Sequence, residues 1–524
     1  MKKIQGLKTL VIILLTALLA VGCSTSEKDT TPNTTPKETE LKIAQEAEPT
    51  TLDPFNATDV TSSNINRTIF EGLLQLDENL QIVPGLAKEF SYNDDATQLH
   101  FILHEGIKFH DGSELTAEVV KANFEFVKDP ENNMARSGFF SFINEIEIVN
   151  DYELIIHSKA PNASMASYFS HTGAGIKSQL EIQKKLENPD YNLDRNPVGT
   201  GPFKFVEWRD GQHILLEKNE EYWNTSKMAQ VQNLKFLPVP EAATRVNMLK
   251  ANEIHFVASL PTGDADELQQ NQNIGVISGP SNTQFYVGIN FQEEKYQDKN
   301  VRYAMNYAIN KDQLIAQIVD GYGSIAASSI APGVYGYSAQ STYEYDVNKA
   351  KALMAEAGYA EGFTATLWTR NSTEFIDIAD FIAIQLKEIG IDVKIEPYES
   401  GTLFDMLDAG DKGTDLWIGR WSVGTGEADQ GLRPNFYSDR IPPSYNNSGF
   451  YINHTVDSLL DTALATADET QRLALYNEVQ KELYTDAPWV FLYTAEAVTA
   501  HREEVGGLFM MKDGSVILTQ AFFK

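Results

Sequence analysis

Several stretches of the chain repeat their apolar residues at the period of an α-helix. Val301, Ala304, Met305, Ala308 and Ile309 fall on one stripe, which predicts a helix with a single buried face. Asp346 stands where an N-cap belongs, ahead of Ala350, Leu353, Met354 and Ala357, and Gly358 closes that pattern. Phe375, Ile378, Ala379, Ile382, Leu386 and Ile389 make a third stripe over 374–389, closed by Gly390. Short β-rich runs at 363–369, 391–396 and 414–418 alternate with these helices. The second half therefore reads as an α/β lobe, a sheet flanked by helices. The first half has more strands and shorter helices, with clear strand composition at 97–103 and 203–208. In 203–208 a period of two sends Phe203, Phe205 and Glu207 one way and Lys204, Val206 and Trp208 the other. Two unlike α/β halves imply two lobes with a ligand crevice between them.

The N-terminus has a different pattern. Lys2, Lys3 and Lys8 precede an apolar run from Leu10 to Val21, broken only by Thr16. A spanning helix needs ~20 residues, so this run reads as an export signal rather than a membrane anchor. It ends in Leu19-Ala20-Val21-Gly22-Cys23, and Cys23 is the only cysteine. The arrangement resembles a bacterial lipobox, although Ala20 stands where Leu is usual. It implies that residues 1–22 are a lipoprotein signal peptide and that Cys23 is acylated, as by palmitate. Residues 24–40 hold eight Ser/Thr and no hydrophobic side chain, so 23–40 is expected to be a flexible tether.

Composition narrows the function. At 524 residues the chain is long enough for roughly three globular units. With 42 Lys+Arg against 73 Asp+Glu the net charge is −31, which argues against a nucleic-acid partner. One cysteine excludes an internal disulfide framework and four-cysteine metal sites. His100, His104 and His110 lie close in sequence, but their spacing fits strand histidines better than a metal centre, and no metal or cofactor is expected. No phosphate-binding loop, Gly-x-Ser-x-Gly elbow or His-Glu-x-x-His motif occurs, and no catalytic residues are assigned.

Five blocks carry a family resemblance. They are residues 82–112 (Ile-Val-Pro-Gly-Leu-Ala through Phe-His-Asp-Gly), 196–205 (Asn-Pro-Val-Gly-Thr-Gly-Pro-Phe-Lys-Phe), 219–223 (Asn-Glu-Glu-Tyr-Trp), 300–309 and 345–353. In this order they resemble the family 5 extracellular solute-binding proteins, receptors of ABC importers for peptides, glutathione and nickel. His104 departs from the family's usual Arg or Lys. The resemblance implies a two-lobed α/β fold of the periplasmic-binding-protein kind, in the large peptide-binding class, with a hinge and an inter-lobe cleft. Residues 41–285 would form lobe I, with 494–524 returning to it, and 286–493 lobe II. It also implies a peptide ligand, ABC permease and ATPase partners, a monomeric receptor without enzyme activity, and a lipid-anchored place outside the membrane of a Gram-positive cell.

The stretch 414–437 narrows the ligand. Peptide receptors of the family usually hold the ligand amine with an Asp three residues after the second Trp; here Trp421 is followed by Gly424. The pattern Trp-Ser-x-x-Thr-Gly-Glu-Ala-Asp-x-x-Leu-Arg-Pro looks more like the glutathione-binding branch, with a general di- or oligopeptide or nickel-chelate receptor as the alternative and an extracytoplasmic hydrolase less favoured. Glutathione carries two carboxylates and one amine. Arg433 and Arg370 are therefore the expected carboxylate donors, Asp429 or Glu427 the amine acceptor, and Trp421, Thr425 and Thr200 further contacts.

Overall fold

The computed structural model describes residues 39–410, 413–443 and 446–524. The expected signal peptide, Cys23 and all but the end of the expected tether lie outside the described residues. That end already belongs to the body: Glu40 opens the strand Glu40–Gln45 and pairs with Asn233, so the tether as read from composition runs two residues too far.

An eleven-stranded sheet runs through the molecule. From one edge its order is Ile391–Tyr398, Phe363–Arg370, Leu416–Ser422, Ile274–Ile289, Trp489–Arg502, Phe256–Val257, Glu40–Gln45, Asn233–Pro238, His213–Lys218 and Phe203–Arg209. Gly323–Ile325 pairs as a branch with Trp489–Arg502. The two long central strands, Ile274–Ile289 and Trp489–Arg502, join the halves. Their outer parts pair Ile274 through Pro280 with Arg502 through Glu496, and their inner parts pair Gln284 through Gly288 with Thr494 through Trp489. The register shifts between Pro280 and Gln284, so the sheet changes direction between two independently packed regions.

Alternation along the central strands feeds a core on each face. Phe285, Val287 and Ile289 meet Met305, Leu367, Ile378, Ile382 and Leu416 on one side. Tyr286 points to the other, where it stacks on Trp489 at 3.5 Å beside Leu432, Phe436 and Tyr476. The three helices expected in this half form as Lys299–Ala308, Val347–Glu356 and Thr373–Lys387. The Asp346 carboxylate accepts from Lys349 N–H, and Gly358 and Gly390 take positive φ. On the N-terminal side, Leu41, Ile43, Leu234 and Phe236 pack one face of the sheet, and Val246, Leu249, Val257 and Leu268 the other.

A separate four-stranded sheet, Ala87–Tyr92, Gln98–Leu103, Glu153–Ser158 and Ile143–Asn150, has its own core. There Phe169 meets Phe101 and Phe124 edge-on at 5.3 and 5.0 Å. One expected alternation fails. A register shift between Phe205 and Glu207 leaves Val206 exposed and turns Trp208 toward the core that holds Phe205. Trp208 is fixed there by donating Nε1–H to Glu48 and by Arg195 stacked over its ring at 3.4 Å. A bulge inserts one residue, so faces assigned by strict period two swap beyond it.

Candidate ligand-binding site

The central strands floor a cleft of about 1640 Å³. Ser281–Thr283 and Ala495–Ala497 lie at its base, next to the register shift. One wall comes from the N-terminal half. The helix Val60–Ile69 starts on Asp59, whose carboxylate accepts Ser62 N–H at 2.7 Å, and it presents Arg67 in its last turn. Burial pushes the Asp59 carboxyl up, but hydrogen bonds from Ser62, Thr50 and Thr61 outweigh it and hold the group below the ordinary value. Arg136 and His171 extend this wall. The Arg136 guanidinium donates twice to the Ala57 carbonyl, at 3.0 and 2.8 Å, and lies over Phe139.

The opposite wall comes from the strand Leu416–Ser422 and the bend after it: Arg420, Trp421, Ser422, Gly424 and Gln430. The strand lies close to its neighbour because two glycines face rings. A Cβ on Gly419 would sit 2.3 Å from the Tyr286 ring, and one on Gly288 2.1 Å from that of Trp417. Trp421 and Arg420 also line a smaller cavity of about 180 Å³ with Arg370, Phe404 and Asp408. Glu374 opens the helix Thr373–Lys387 at the cleft, its carboxyl raised by burial against the pull of Arg420 and Arg370.

Comparison with known proteins fits this architecture. The sequence model of bacterial extracellular solute-binding proteins, family 5 (middle), matches residues 81–442. The chain belongs to that family. A relative named glutathione-binding protein GsiB, from Pectobacterium atrosepticum, is 32% identical over 469 residues, covering 88% of this chain and 90% of the relative. The DppA periplasmic binding protein of Helicobacter pylori, solved with the peptide STSA, is 28% identical with a TM-score of 0.76 over 92% of this chain and 99% of that one. The oligopeptide-binding protein AppA of Bacillus subtilis, solved with a nonapeptide, is 25% identical with a TM-score of 0.74 over 93% and 99%. The fold is thus the two-lobed one of peptide-binding receptors. Among the described residues no helix is long and apolar enough to cross a membrane.

Within this family 5 fold, the residues singled out in the sequence go to different places. Trp421 lines the cleft, and its Nε1–H is buried with no acceptor among the described residues. Arg370 ends its strand in the smaller cavity, held between Phe375 and Phe404 at 4.5 and 4.9 Å. Thr425, Glu427, Asp429 and Arg433 lie behind the wall and are not among the residues lining the cleft. Thr425 donates its N–H to Gln430 Oε1 at 2.6 Å. Glu427 precedes the helix Ala428–Phe436 and accepts the Tyr476 hydroxyl at 2.8 Å; burial pushes its carboxyl up, and the charge of Asp429 adds to that. Asp429 and Arg433 stand one turn apart and pair with each other at 3.0 Å, while Arg433 also reaches Asp461 at 2.8 Å. Burial disfavours the Arg433 cation, but these two acids raise its pKa above the ordinary value. Opposite charges four residues apart on a helix satisfy one another as readily as a zwitterionic ligand.

Thr200 is fully buried and donates to Glu71, which also accepts from Tyr222 and Trp223, all at 2.7–2.8 Å. Gly199 beside it touches the Ile69 carbonyl so closely that a Cβ would lie 2.1 Å away. The close approach that glycine permits is made to the helix end, not to the cleft. His100, His104 and His110 separate as well, to Glu153, the Trp223 ring and the Gly201 carbonyl. Arg67, Arg136, His171 and Arg420 were not singled out in the sequence. Arg420 lies within the 414–437 stretch beside Trp421, but Arg67, Arg136 and His171 belong to no motif; only the fold brings residues so far apart to one cleft.

Proposed function

We propose that this chain is the extracytoplasmic receptor of an ABC importer that binds glutathione or a related short peptide between its lobes and delivers it to permease and ATPase subunits. The reading extends to an anchor: acylated Cys23 and the tether hold the body outside the membrane, and the body works as a monomer. The lobes, 41–285 with 494–524 and 286–493, close about the register shift in the central strands. Thr425, Glu427, Asp429 and Arg433 set the shape of the wall from behind, and Trp421 touches the ligand. The observation that carries this reading is a large cleft walled by both halves and floored by the two strands that join them. Support also comes from the relatives named for glutathione and the solved peptide receptors.

Titration calorimetry against glutathione, its disulfide and a dipeptide panel tests it. The expected result is one-to-one binding with the added compound recovered intact by mass spectrometry. Recovery of cleaved peptide would make the protein a hydrolase, and no binding across the panel would overturn the reading. A second reading, an oligopeptide receptor, is favoured by the cleft volume, which exceeds the ~300–1,000 Å³ usual for small-molecule sites. Tighter binding of peptides longer than three residues decides for it.

A further inference from the structure

Both walls of the cleft carry hydrogen-bond donors. His171 is held as a donor. Gly173 N–H donates to its Nδ1 at 2.8 Å, so the neutral ring carries its proton on Nε2. That Nε2 faces the opposite wall, 3.4 Å from where a Cβ on Gly424 would stand. Burial pushes the His171 pKa down to about 3, and the charges of Arg136 and Arg67 add to this. Arg136 is also close to Gly173, whose Cβ would come within 3.3 Å of its Nε.

The two arginines have few acceptors. Arg136 spends Nε and one Nη on the Ala57 carbonyl. Arg67 gives Nη1 to the Ser515 hydroxyl at 2.9 Å, and its Nε is buried with no acceptor among the described residues. Neither is in an ion pair among the described residues. The carboxylate whose charge acts on Arg136 is that of Asp59, already occupied by Ser62, Thr50 and Thr61. From the far wall Trp421 adds an indole N–H, also buried and without an acceptor among the described residues. Gly424, between Trp421 and Gln430, brings no side chain that would compete.

We propose that Arg67, Arg136, the Nε2–H of His171 and the Nε1–H of Trp421 form a carboxylate-binding subsite that takes a carboxylate of a peptide ligand and is complete only when both lobes contribute. The assignment rests on the peptide-receptor reading above. It also resolves an electrostatic difficulty. A chain of net charge −31 repels an anion at long range, so cations at contact distance must dominate. Buried N–H groups left without acceptors are costly, and a carboxylate offers up to four lone-pair positions to satisfy them.

The test is calorimetry of the full body with two matched pairs of probes, glutathione against its diethyl ester and Met-Leu against Met-Leu amide. The wild-type protein should prefer a free acid to its neutral partner by ~30-fold or more, the loss typical for removing one side of a buried charge pair. Arg67→Gln and Arg136→Gln should each remove most of that preference while binding the ester or amide within about threefold of wild type. Trp421→Phe, which deletes an N–H and keeps a ring, should weaken the acids several-fold and the neutral probes by less, since an ester or amide carbonyl accepts more weakly than a carboxylate. Variants that still discriminate acid from ester as wild type does overturn the subsite. So does an equal loss for both probes, which would make these residues structural. Wild-type protein that binds neither acid overturns the receptor reading, and the subsite with it.

Discussion

At Arg433 the sequence and the structure suggest different experiments. Two acids and an arginine within seven residues read as a clamp for a zwitterion, yet the guanidinium lies with Asp429 and Asp461 behind the wall. Its side chain is 12% exposed and that of Asp429 8%, so losing the cation strands a buried carboxylate. That change typically costs ~3–5 kcal/mol. Arg433→Ala should therefore lower the melting temperature of the unliganded protein by several degrees, measured by calorimetry. An unchanged melting temperature with lost ligand affinity would return Arg433 to the role its motif suggested. A similar argument applies to His171. Its ordinary value is 6.5 and its folded value about 3. Below pH 6.5 the unfolded chain takes up a proton that folded His171 refuses until about pH 3. Its contribution to stability is thus full above pH 6.5 and shrinks as the pH falls toward 3. His171→Gln should flatten the decline of melting temperature between pH 7 and 4; an unaltered slope would show the ring to be solvated. Neither residue's surroundings could be read from sequence, because burial of a charge is a property of the fold.

Elements were legible where one period ran without interruption. The stripes from Val301, Ala350 and Phe375 each form the helix they predict, since 3.6-residue spacing, with a glycine stop after the last two, leaves few alternatives. Strands were less legible. The bulge in Phe203–Arg209 reverses faces without a sequence mark, and Ile274–Ile289 changes its packing partners partway along. The segment at Gly199 shows how tightly elements meet. Gly199→Ala would drive a Cβ to 2.1 Å from the Ile69 carbonyl at the end of the cleft helix. Overpacking against backbone costs at least ~1–3 kcal/mol, so a marked loss of stability is expected in denaturant titration. Gly138, with nothing within 4 Å of its Cβ position, should accept Ala at little cost, as the control. Equal tolerance at both sites would show that the contact is loose.

For the whole molecule, two α/β halves could be read from alternation alone, and the two-lobed class from five ordered blocks. The site was only half legible. Trp421 was found because it lies inside a recognisable stretch, whereas the wall carrying Arg67, Arg136 and His171 is assembled from three distant segments. If ligand is held by both walls, occupancy favours the closed arrangement over any open one. Small-angle scattering should then show a smaller radius of gyration at saturating ligand, and an identical profile with and without ligand would exclude closure about the central strands.

Gly424 gives that closure a chemical sign. Its φ is unexceptional, and a Cβ there would meet only the His171 Nε2 at 3.4 Å and the Gln430 side chain at 3.8 Å or more, ordinary contacts. The backbone therefore admits a side chain, and the nearest group, the His171 Nε2–H, is a donor. Gly424→Asp would tether a carboxylate beside His171 and the arginines, giving the protein a permanent counter-ion of its own. Such a variant should melt higher without ligand and lose its preference for free acids over amides, both measurable in one thermal-shift and calorimetry series. Selectivity between acidic and basic ends of a ligand would then be set by one codon, without any redesign of the lobes.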